Sequence, residues 1–300
     1  MKILVVGSIN MDLVTYMPHL PKRGETSFGT DFIKNPGGKG ANQACAAALL
    51  NADVTMLGAV GSDVFGKELI SCLENNKVKP KIKLSSMPTG CATILLEEEE
   101  VHDNRIIVIP GANYDIKKED IDKNIDLIKE TDIILSQLEI PLDTVEYLSS
   151  KAKEFNKIFI LNPAPGRELS DHLLNNIDYL TPNETELSLI SEIEIKDEDS
   201  FRKACSFLLD KGVKTLLVTL GEKGVYLYSK EEEELLPAYK VNAVDTTAAG
   251  DCFNGAFAAY LTKGYPLKKA IRYAEKAASV AVTRKGAISS LPREEEVELD

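Results

Sequence analysis

The chain has 300 residues, with 35 Lys and Arg against 47 Asp and Glu, and a formal net charge of −12. Its hydrophobic fraction of 44% supplies a sizeable core, and the length suits one large domain or one domain with a small appendage. Non-specific nucleic-acid binding depends on neutralising phosphates with Lys and Arg, so this acidic balance argues against a nucleic-acid partner. A single nucleotide is still allowed, because local amides and a metal ion can hold it.

The amino-terminal segment indicates a cytoplasmic protein without membrane contact. The apolar run at residues 3–6 ends at Gly7 and is too short for a signal peptide, and no apolar stretch in the sequence reaches the length of a membrane span. Five cysteines are scattered without a C-x-x-C pair, which indicates reduced thiols.

Short β-branched runs alternate with helical patterns along the chain. Strands are predicted at 3–7, 54–60, 132–138, 157–161, 179–181 and 214–220. Several of these are continuous apolar runs, which are typical of strands buried on both faces of a parallel sheet. Later segments place apolar residues at helical spacing: Phe201, Ala204, Cys205 and Leu208, then Leu267, Ala270, Ile271, Ala274, Ala278 and Ala281. The alternation predicts an α/β fold with a doubly wound, mostly parallel sheet flanked by helices, which binds ligands at the carboxyl ends of its strands.

Two regions interrupt this alternation. Residues 11–35 contain prolines and glycines among short extended pieces, and residues 89–109 read as a hairpin with arms 92–96 and 105–109. The charged turn 97–104 joins the arms, and its acidic run is interpreted as solvated. Without repeats or long linkers, the chain is expected to be a single domain, 1–300, with a small β-sheet lid formed by about 11–35 and 89–109.

The segment 243–256 carries the strongest chemical signal. A helical face downstream of it predicts a helix that begins near Ala248 or Ala249, with Asp251 in its first turn. The small residues Ala248, Ala249 and Gly250 leave backbone N–H groups accessible, and amides at a helix amino terminus suit a developing phosphate charge. A carboxylate there can accept a proton from a nucleophilic hydroxyl. The alternative is that Asp251 only caps the helix, but a cap has no need of the small residues before it.

A second set of polar residues suits a polyol. Asn10 and Asp12 are predicted to alternate out of the end of the first strand toward one pocket, unless they only mark a turn. The glycine-rich run 37–40 is not a Walker A loop, but it lets amides and Asn42 approach a ligand closely. Each buried sugar hydroxyl needs a polar partner of this kind. No G-x-G-x-x-G occurs, which disfavours a nicotinamide-dependent oxidoreductase.

The chain resembles the ribokinase family of sugar and nucleoside kinases from residue 3 to about residue 292. The motifs that carry the resemblance are Gly7-Ser8-Ile9-Asn10-Met11-Asp12, Asn35-Pro36-Gly37-Gly38-Lys39-Gly40-Ala41-Asn42-Gln43-Ala44, Asn162-Pro163-Ala164-Pro165, Thr181-Pro182-Asn183-Glu184-Thr185-Glu186, Asp245-Thr246-Thr247-Ala248-Ala249-Gly250-Asp251 and Val282-Thr283-Arg284-Lys285-Gly286. Gln137-Leu138-Glu139 and Pro110-Gly111-Ala112-Asn113 further resemble the members that phosphorylate D-ribose on its 5-hydroxyl.

The resemblance implies a set of site residues. Sugar contacts are expected from Asn10, Asp12, Gly38, Lys39, Gly40, Asn42 and Glu139, together with Asp251 as general base and an anion hole formed by Ala248, Ala249 and Gly250. ATP contacts are expected from Asn183, Thr219, Gly221, Gly224, Gly250 and Glu275. Glu186 is expected to act on Mg²⁺ through water, and K⁺ is expected to be held by Asp245, Thr247, Ala281, Arg284, Gly286 and Ser290. A homodimer that forms through the lid is also implied.

Two departures and several alternatives stay open. Cys252 stands where Thr is commoner, and packing is its expected role. Glu275 stands where His or Asn is frequent, so it either weakens ATP binding or faces water. Deoxyribose, fructose and adenosine remain alternative substrates. A ribose-binding regulator would have little reason to keep Asp251 or the pair of Asn183 and Glu186.

Overall fold

Two β-sheets organise the chain in the computed structural model, which describes residues 1–97 and 104–299. The strands are β1 (Lys2–Val6), β2 (Asn10–Met17), β3 (Asp31–Gly37), β4 (Asp53–Gly61), β5 (Lys79–Ser85), β6 (Gly90–Glu97), β7 (Asn104–Ile109), β8 (Ile133–Ser136), β9 (Ile158–Leu161), β10 (Tyr179–Leu180), β11 (Thr215–Thr219), β12 (Val225–Ser229) and β13 (Glu233–Leu236).

Helices of very different length connect these strands. They are α1 (Lys39–Leu49), α2 (Val64–Asn75), α3 (Lys118–Lys123), α4 (Ile125–Glu130), α5 (Leu142–Glu154), α6 (Asp171–Leu174), α7 (Glu184–Ser191), α8 (Glu198–Asp210), α9 (Ala249–Thr262) and α10 (Leu267–Ala281). Short 3₁₀ helices span Gly111–Asp115, Gly221–Lys223, Ile288–Ser290 and Glu294–Glu296. No helix in the described ranges combines the length and apolar character that a bilayer span needs.

The large sheet has the order β13-β12-β11-β10-β9-β8-β1-β4-β5. Neighbours from β11 to β5 run parallel, whereas β12 and β13 pair antiparallel at one edge. The chain leaves β1 toward β4 on one side and returns later to β8 on the other. The order therefore reverses beside β1, and ligands of open α/β sheets bind where the strand ends separate at such a point.

Strand β1 shows why these runs are apolar throughout. Ile3 and Val5 pack into the core beneath α1, α9 and α10, while Leu4 and Val6 point to the opposite core beneath α5, α7 and α8. Side chains alternate across a strand, so a strand with helices on both faces needs apolar residues at successive positions. The prediction of an α/β fold with a mostly parallel, helix-flanked sheet and a small second sheet is confirmed.

The small sheet has the order β3-β2-β6-β7. Antiparallel pairing joins β2 to β3 and β6 to β7, and parallel pairing joins β2 to β6. The predicted hairpin arms 92–96 and 105–109 therefore do pair, with Ala92 opposite Val108. The acidic turn predicted between them falls on residues 98–103, which lie outside the described residues.

Helices α1 and α9 pack closely through Gly255. A Cβ at that position would lie 2.4 Å from the Gln43 carbonyl oxygen and 2.6 Å from Ala46 Cβ. Real Cβ contacts do not come so near, so only glycine allows this approach. The same close approach lets Asn42 and Gln43 of α1 reach Asp251 in the first turn of α9.

One expectation about the small sheet was wrong, and strand β5 of the large sheet was not foreseen. Asn10 and Asp12 do not continue the first strand; both belong to β2 of the small sheet, where they pair with β3 and β6. Strand β5 was not predicted, because its sequence alternates lysines with apolar residues around Pro80. That pattern is tolerated since β5 lies at the edge of the large sheet, where one side has no partner strand.

Candidate active site

Helix α9 begins at Ala249 with Asp251 in its first turn, as predicted. Ala248 immediately precedes it with a left-handed backbone, φ 60° and ψ 12°, which a residue with a Cβ adopts at a cost of about 1–2 kcal/mol. Strain of this kind gathers at functional sites, where the surrounding structure holds it. Here it turns the chain sharply into the helix.

The amides of this turn are only partly free. No described residue accepts from the N–H of Ala248 or Gly250, and a Cβ on Gly250 would meet nothing within 4 Å. The Ala249 N–H instead donates to the Thr246 carbonyl at 3.2 Å. The structure thus leaves the outer two of the three predicted anion-hole amides available and gives the middle one an acceptor within the turn.

Asp251 does not cap the helix. The α9 amino terminus has no side-chain cap, and both oxygens of Asp251 accept hydrogen bonds from α1. Asn42 Nδ2 donates to Oδ2 at 2.8 Å, and Gln43 Nε2 donates to Oδ1 at 2.9 Å. The carboxylate is 6% exposed, so the amide donors compensate for much of its lost hydration. The Asn42 Oδ1 atom is buried without a partner in the described residues and can receive a ligand hydroxyl.

The glycine-rich run lets α1 begin directly above the end of β1. Gly38 has φ +90°, and a Cβ there would lie 2.7 Å from the Asn10 nitrogen, so the position requires glycine. Gly40 is buried in the first turn and its N–H donates to Ser8 Oγ at 3.4 Å. Ser8 Oγ in turn donates to Glu139 Oε2 at 2.5 Å. Glu139 is therefore held between β1, α1 and the segment after β8.

Strand β2 contributes the other polar groups of this region. Asn10 is buried, and its Oδ1 accepts from Asn113 Nδ2 at 2.7 Å, which leaves its own amide group free to donate. The Asp12 side chain makes no hydrogen bond to a described residue, although its backbone pairs within the small sheet. Burial and the charges of Glu139 and Asp251 raise the pKa of Asp12 to about 7, against the smaller effect of Lys39.

Lys39 lies at the cleft and interacts with four carboxylates. The charge of Asp251, followed by those of Glu139, Glu186 and Asp12, raises the pKa of Lys39 despite its burial. One ammonium thus faces four carboxylates. The excess of negative charge is unusual for a phosphate-handling site, and it favours ligands that bring hydroxyl donors on one side and cations on the other.

A cleft of about 240 Å³ opens beside Asp251 and Lys39. Its remaining lining comes from strand ends and the α9 turn: Asn162, Ala164, Thr181, Asn183, Glu186, Thr219, Thr246, Ala248, Ala249, Gly250 and Asn254. Asn183 and Glu186 begin α7 with a reciprocal capping box, in which Asn183 Oδ1 accepts the Glu186 N–H at 2.8 Å and Glu186 Oε2 accepts the Asn183 N–H at 2.9 Å. Burial raises the pKa of Glu186.

Of the predicted ATP residues outside this cleft, two have distinct surroundings. Gly221 has φ +57° and open space around it, which leaves room for a ligand. Gly224 is accounted for by packing, because a Cβ there would lie 2.0 Å from the Leu236 carbonyl oxygen of β13.

Glu275 on α10 does not face water. It is 8% exposed, its Oε2 is buried without a partner in the described residues, and burial raises its pKa to about 7. Cys252 is fully buried, in agreement with the expected packing role.

The residues predicted to hold a monovalent cation lie in two chain segments that meet: Asp245 and Thr247 before α9, and Ala281, Arg284, Gly286 and Ser290 from the end of α10 to the following 3₁₀ helix. Asp245 Oδ1 accepts the Thr247 N–H and Oδ2 accepts the Gly286 N–H, each at 2.9 Å. Burial opposes the Asp245 charge, but these hydrogen bonds outweigh it and lower the pKa. The Asp245 N–H also donates to the Val282 carbonyl.

The donor set for a divalent ion is small. No group of three or more His, Cys, Asp or Glu within the described ranges is arranged to hold a metal ion. Glu186 alone presents a carboxylate on the α7 side of the cleft. This fits Mg²⁺, which keeps several waters and takes few protein ligands beside phosphate oxygens.

Sequence reasoning gave no role to several polar residues of the site. Ser8, Gln43, Asn162, Thr181 and Asn254 lie at strand ends or in the first turns of α1 and α9, and all are buried. The sequence feature that could have identified them is their position. A polar residue directly after an apolar strand, or at the start of a helix, has few reasons to be buried unless it belongs to a site. Their contacts span up to 208 positions of sequence, as between Gln43 and Asp251.

Comparisons with known proteins agree with this geometry. The model of the pfkB family of carbohydrate kinases matches residues 1–294. The ribokinase of Haemophilus influenzae is 40% identical over 294 residues, which cover 97% of this chain and 95% of that protein. The deoxyribokinase of Salmonella typhi is also 40% identical, over 297 residues and 97% and 96% of the two chains. The structure of Arabidopsis thaliana ribokinase complexed with ribose and ATP superposes with a TM-score of 0.92 at 32% identity, covering 99% and 97% of the chains.

Proposed function

Because the chain belongs to the pfkB family of carbohydrate kinases and is a sugar kinase, we propose that it transfers the γ-phosphoryl group of ATP to the 5-hydroxyl of D-ribose. One observation carries the proposal. The buried carboxylate of Asp251 lies in the first turn of α9, beside the two unpaired amides of that turn and at the wall of the cleft. A base and an anion hole are thereby adjacent, as in-line phosphoryl transfer requires.

The sugar would lie on the β2 side of Asp251. Asn10 has a free amide donor, Asn42 has a free oxygen, and Asp12 and Glu139 present carboxylates, so the region offers partners of both kinds to a polyol. The Lys39 ammonium and the Gly38 amide complete the set, while the Gly40 N–H holds the turn in place by donating to Ser8 Oγ. The solved complex of the Arabidopsis relative with ribose and ATP supports these two ligands.

The transfer itself follows from the position of the base. Asp251 accepts the proton of the 5-hydroxyl as that oxygen forms its bond to the γ-phosphorus, while the bond from phosphorus to the β-γ bridging oxygen breaks and ADP leaves. The N–H groups of Ala248 and Gly250, with Lys39, stabilise the charge on the transferring group. Charge stabilisation and positioning supply most of the acceleration in such reactions.

Nucleotide and ions would occupy the opposite side. Asn183 and Thr219 line the cleft and Gly221 leaves open space near it, so this side is assigned to ATP. Mg²⁺ near Glu186 would neutralise phosphate charge, and K⁺ between the loops of Asp245 and Gly286 would order the turn before α9. The carbonyls of Ala281 and Arg284 and the region of Ser290 border the same loops. A homodimer through the small sheet completes the proposal.

A second sugar has specific support. The Salmonella deoxyribokinase matches the chain as closely as the Haemophilus ribokinase does, so 2-deoxy-D-ribose is the alternative substrate. The test is ADP release by the purified protein with Mg-ATP and potassium across ribose, deoxyribose, fructose, adenosine and no sugar. Turnover with ribose clearly above the other sugars supports the proposal. A preference for deoxyribose keeps the mechanism and changes the substrate, and no turnover with any sugar contradicts both.

A further inference from the structure

A chain of buried amides lies behind the proposed base. Gln43 is fully buried; its Nε2 donates to Asp251 Oδ1 at 2.9 Å and to Asn162 Oδ1 at 3.1 Å. Its Oε1 accepts from Gln137 Nε2 at 2.6 Å, and Gln137 is fully buried as well. None of these contacts involves Asp251 Oδ2, which accepts from Asn42, and nothing in the proposed transfer uses Gln43 or Gln137.

The direction of every hydrogen bond in this chain follows from the charge on Asp251. An ionised carboxylate only accepts, so the Gln43 amide must present its nitrogen to Asp251 and its oxygen to Gln137. Gln137 must then present its nitrogen to Gln43. The result is that Gln137 Oε1 is buried without a partner in the described residues, against Gly7. Burying an amide oxygen without a hydrogen-bond partner is unfavourable, so the arrangement is not one that stability alone would favour.

The kind of donor also matters. A cation in hydrogen-bonding contact would stabilise the carboxylate strongly and make it a poorer proton acceptor, whereas neutral amides orient it with a smaller penalty. No ion pair within 4.0 Å joins Asp251 to a described Lys or Arg. Asn42 fixes Oδ2 and Gln43 fixes Oδ1, so the plane of the carboxylate is set before any ligand binds.

We propose that Gln43, braced by Gln137, is a positioning residue that holds Asp251 oriented for proton abstraction by neutral hydrogen bonds alone. This inference rests on the proposed role of Asp251 as the base. Gln43 does not touch the sugar in this account, so its loss lowers the rate of transfer and leaves ligand binding nearly unchanged. Gln137 acts one contact further away and has a smaller effect.

The first test replaces Gln43 by an apolar residue of similar length. For Gln43→Met, kcat is expected to fall about 10- to 100-fold, because small displacements of a catalytic group have effects of that size. The KM values for ribose and ATP should stay within about threefold. Gln137→Met should lower kcat about 3- to 10-fold. The matched control is Thr144→Val, which removes another buried hydrogen bond, from Thr144 Oγ1 to the Ile116 carbonyl, away from the site.

A second variant, Gln43→Glu, should give a pH dependence of activity that a residue with a purely structural role would not give. In Gln43→Glu the new carboxyl can donate to Asp251 only while it is protonated, and it repels Asp251 once ionised. Activity relative to the parent should therefore rise as the pH falls. The other titratable groups that interact with Asp251 are Asp12 on β2, Lys39 on α1 and Glu186 on α7, and all are unchanged in this variant. Cys252 on α9 stays a neutral thiol, because burial raises its pKa.

The outcomes separate this inference from the proposed function. If Asp251→Asn abolishes transfer but folded Gln43→Met keeps kcat within threefold of the parent, the positioning role is wrong and the base assignment stands. If Asp251→Asn keeps full activity, the base assignment itself is wrong, and the inference falls with it. Should Gln43→Met fail to fold, a kcat for Gln137→Met equal to that of the parent overturns the proposal.

Discussion

The Ser8 hydroxyl donates to Glu139 Oε2 at 2.5 Å and so joins the carboxyl end of β1 to the segment after β8. The two residues are 131 positions apart in sequence. Ser8 is fully buried and also accepts the Gly40 N–H, so one hydroxyl fixes the acidic side chain and the first turn of α1 together.

Ser8→Ala should weaken sugar binding while it spares the chemical step. Without the hydroxyl, Glu139 loses its shortest hydrogen bond and the Gly40 N–H loses its acceptor. We expect the ribose KM to rise about 3- to 10-fold, as the loss of one buried hydrogen bond of about 1 kcal/mol implies, with kcat nearly unchanged. Ser149→Ala is the control, since Ser149 is equally buried but bonds only within and beside α5. An unchanged ribose KM in Ser8→Ala would contradict a role for Glu139 in binding.

Asp251→Asn should nearly abolish turnover. The amide cannot take the proton of the attacking hydroxyl, so kcat should fall by about 10²–10⁴, the range that a general base supplies. Ribose binding, measured by calorimetry, should stay within about threefold because the side chain keeps its volume. The exposed Asp126 offers a control substitution to Asn that changes neither quantity. Activity within tenfold of the parent would exclude Asp251 as the base.

Asp12→Asn should stabilise the free protein at alkaline pH and impair it as an enzyme. The folded-state pKa of Asp12, about 7, lies above the ordinary 3.8. Between these two pH values the folded state holds a proton that the unfolded state has lost. The stability that this proton contributes is fully present below pH 3.8 and is lost as the pH rises through about 7. Asp12→Asn removes this titration. The gain in free energy of unfolding of the variant over the parent should therefore be larger at pH 8 than at pH 5, by about 1–3 kcal/mol.

Urea unfolding of parent and variant at the two pH values measures this difference. The ribose KM of the variant should also rise, by at least about tenfold, because a charged hydrogen-bond acceptor is lost. Asp63 provides the opposite case, since hydrogen bonds from Thr89 and Gly66 outweigh its burial and lower its pKa. Asp63→Asn should therefore lower the free energy of unfolding relative to the parent more at neutral pH than in acid. Equal pH dependence in the Asp12 variant and the parent would show that Asp12 titrates normally.

Glu275→Gln tests the buried acid on α10. Its pKa of about 7 is raised by burial, so the parent loses stability from this group as the pH rises toward 7, and the neutral amide should remove that loss. We expect a higher urea midpoint for the variant at pH 8 and a similar midpoint near pH 4. If the charge also weakens nucleotide binding, as the sequence resemblance implies for this position, the ATP KM of the variant at pH 8 should fall. Glu74→Gln, on the exposed side of α2, should change neither value.

The apolar edge strand β7 should carry the dimer contact. Ile106, Ile107, Val108 and Ile109 are each about half exposed, an arrangement that an unpartnered edge strand seldom tolerates. Ile107→Lys should place a charge in the contact and produce monomers in sedimentation velocity at concentrations where the parent dimerises. Leu235→Lys, on β13 of the large sheet, should leave the assembly unchanged. A parent that stays monomeric at high concentration would contradict the dimer.

Local patterns predicted the parts of the molecule that local forces determine. The buried strands and the start of α9 follow from apolar runs and from small residues before a helical face, so their positions could be read within a few residues. Strand β5 could not, because an edge strand is under weaker demand for apolar residues. The strand that holds Asn10 and Asp12 was misassigned because pairing with β3 and β6 depends on distant segments.

The interior of the site was even less accessible to sequence reasoning. The left-handed turn at Ala248 is held by its surroundings and not by its residue type, since Ala has no preference for that conformation. Likewise, the contacts of Gln43 with Gln137 and Asp251 join segments that meet only in the folded chain. The family motifs include the residues next to these in sequence. The donors and acceptors of the hydrogen bonds could be assigned only from the three-dimensional structure.

The close packing at Gly255 has a consequence for how this scaffold can change its substrate. Helices α1 and α9 touch at Gly255 with no room for a side chain there, so their residues constrain one another. Substitutions on these helices therefore disturb the residues proposed for phosphoryl transfer, whatever sugar is bound. Strand β2, which carries Asn10 and Asp12, belongs to the separate small sheet. Both natural divergence and directed evolution toward new sugars should therefore accumulate their changes on the small sheet, with α1 and α9 retained as a constant catalytic module.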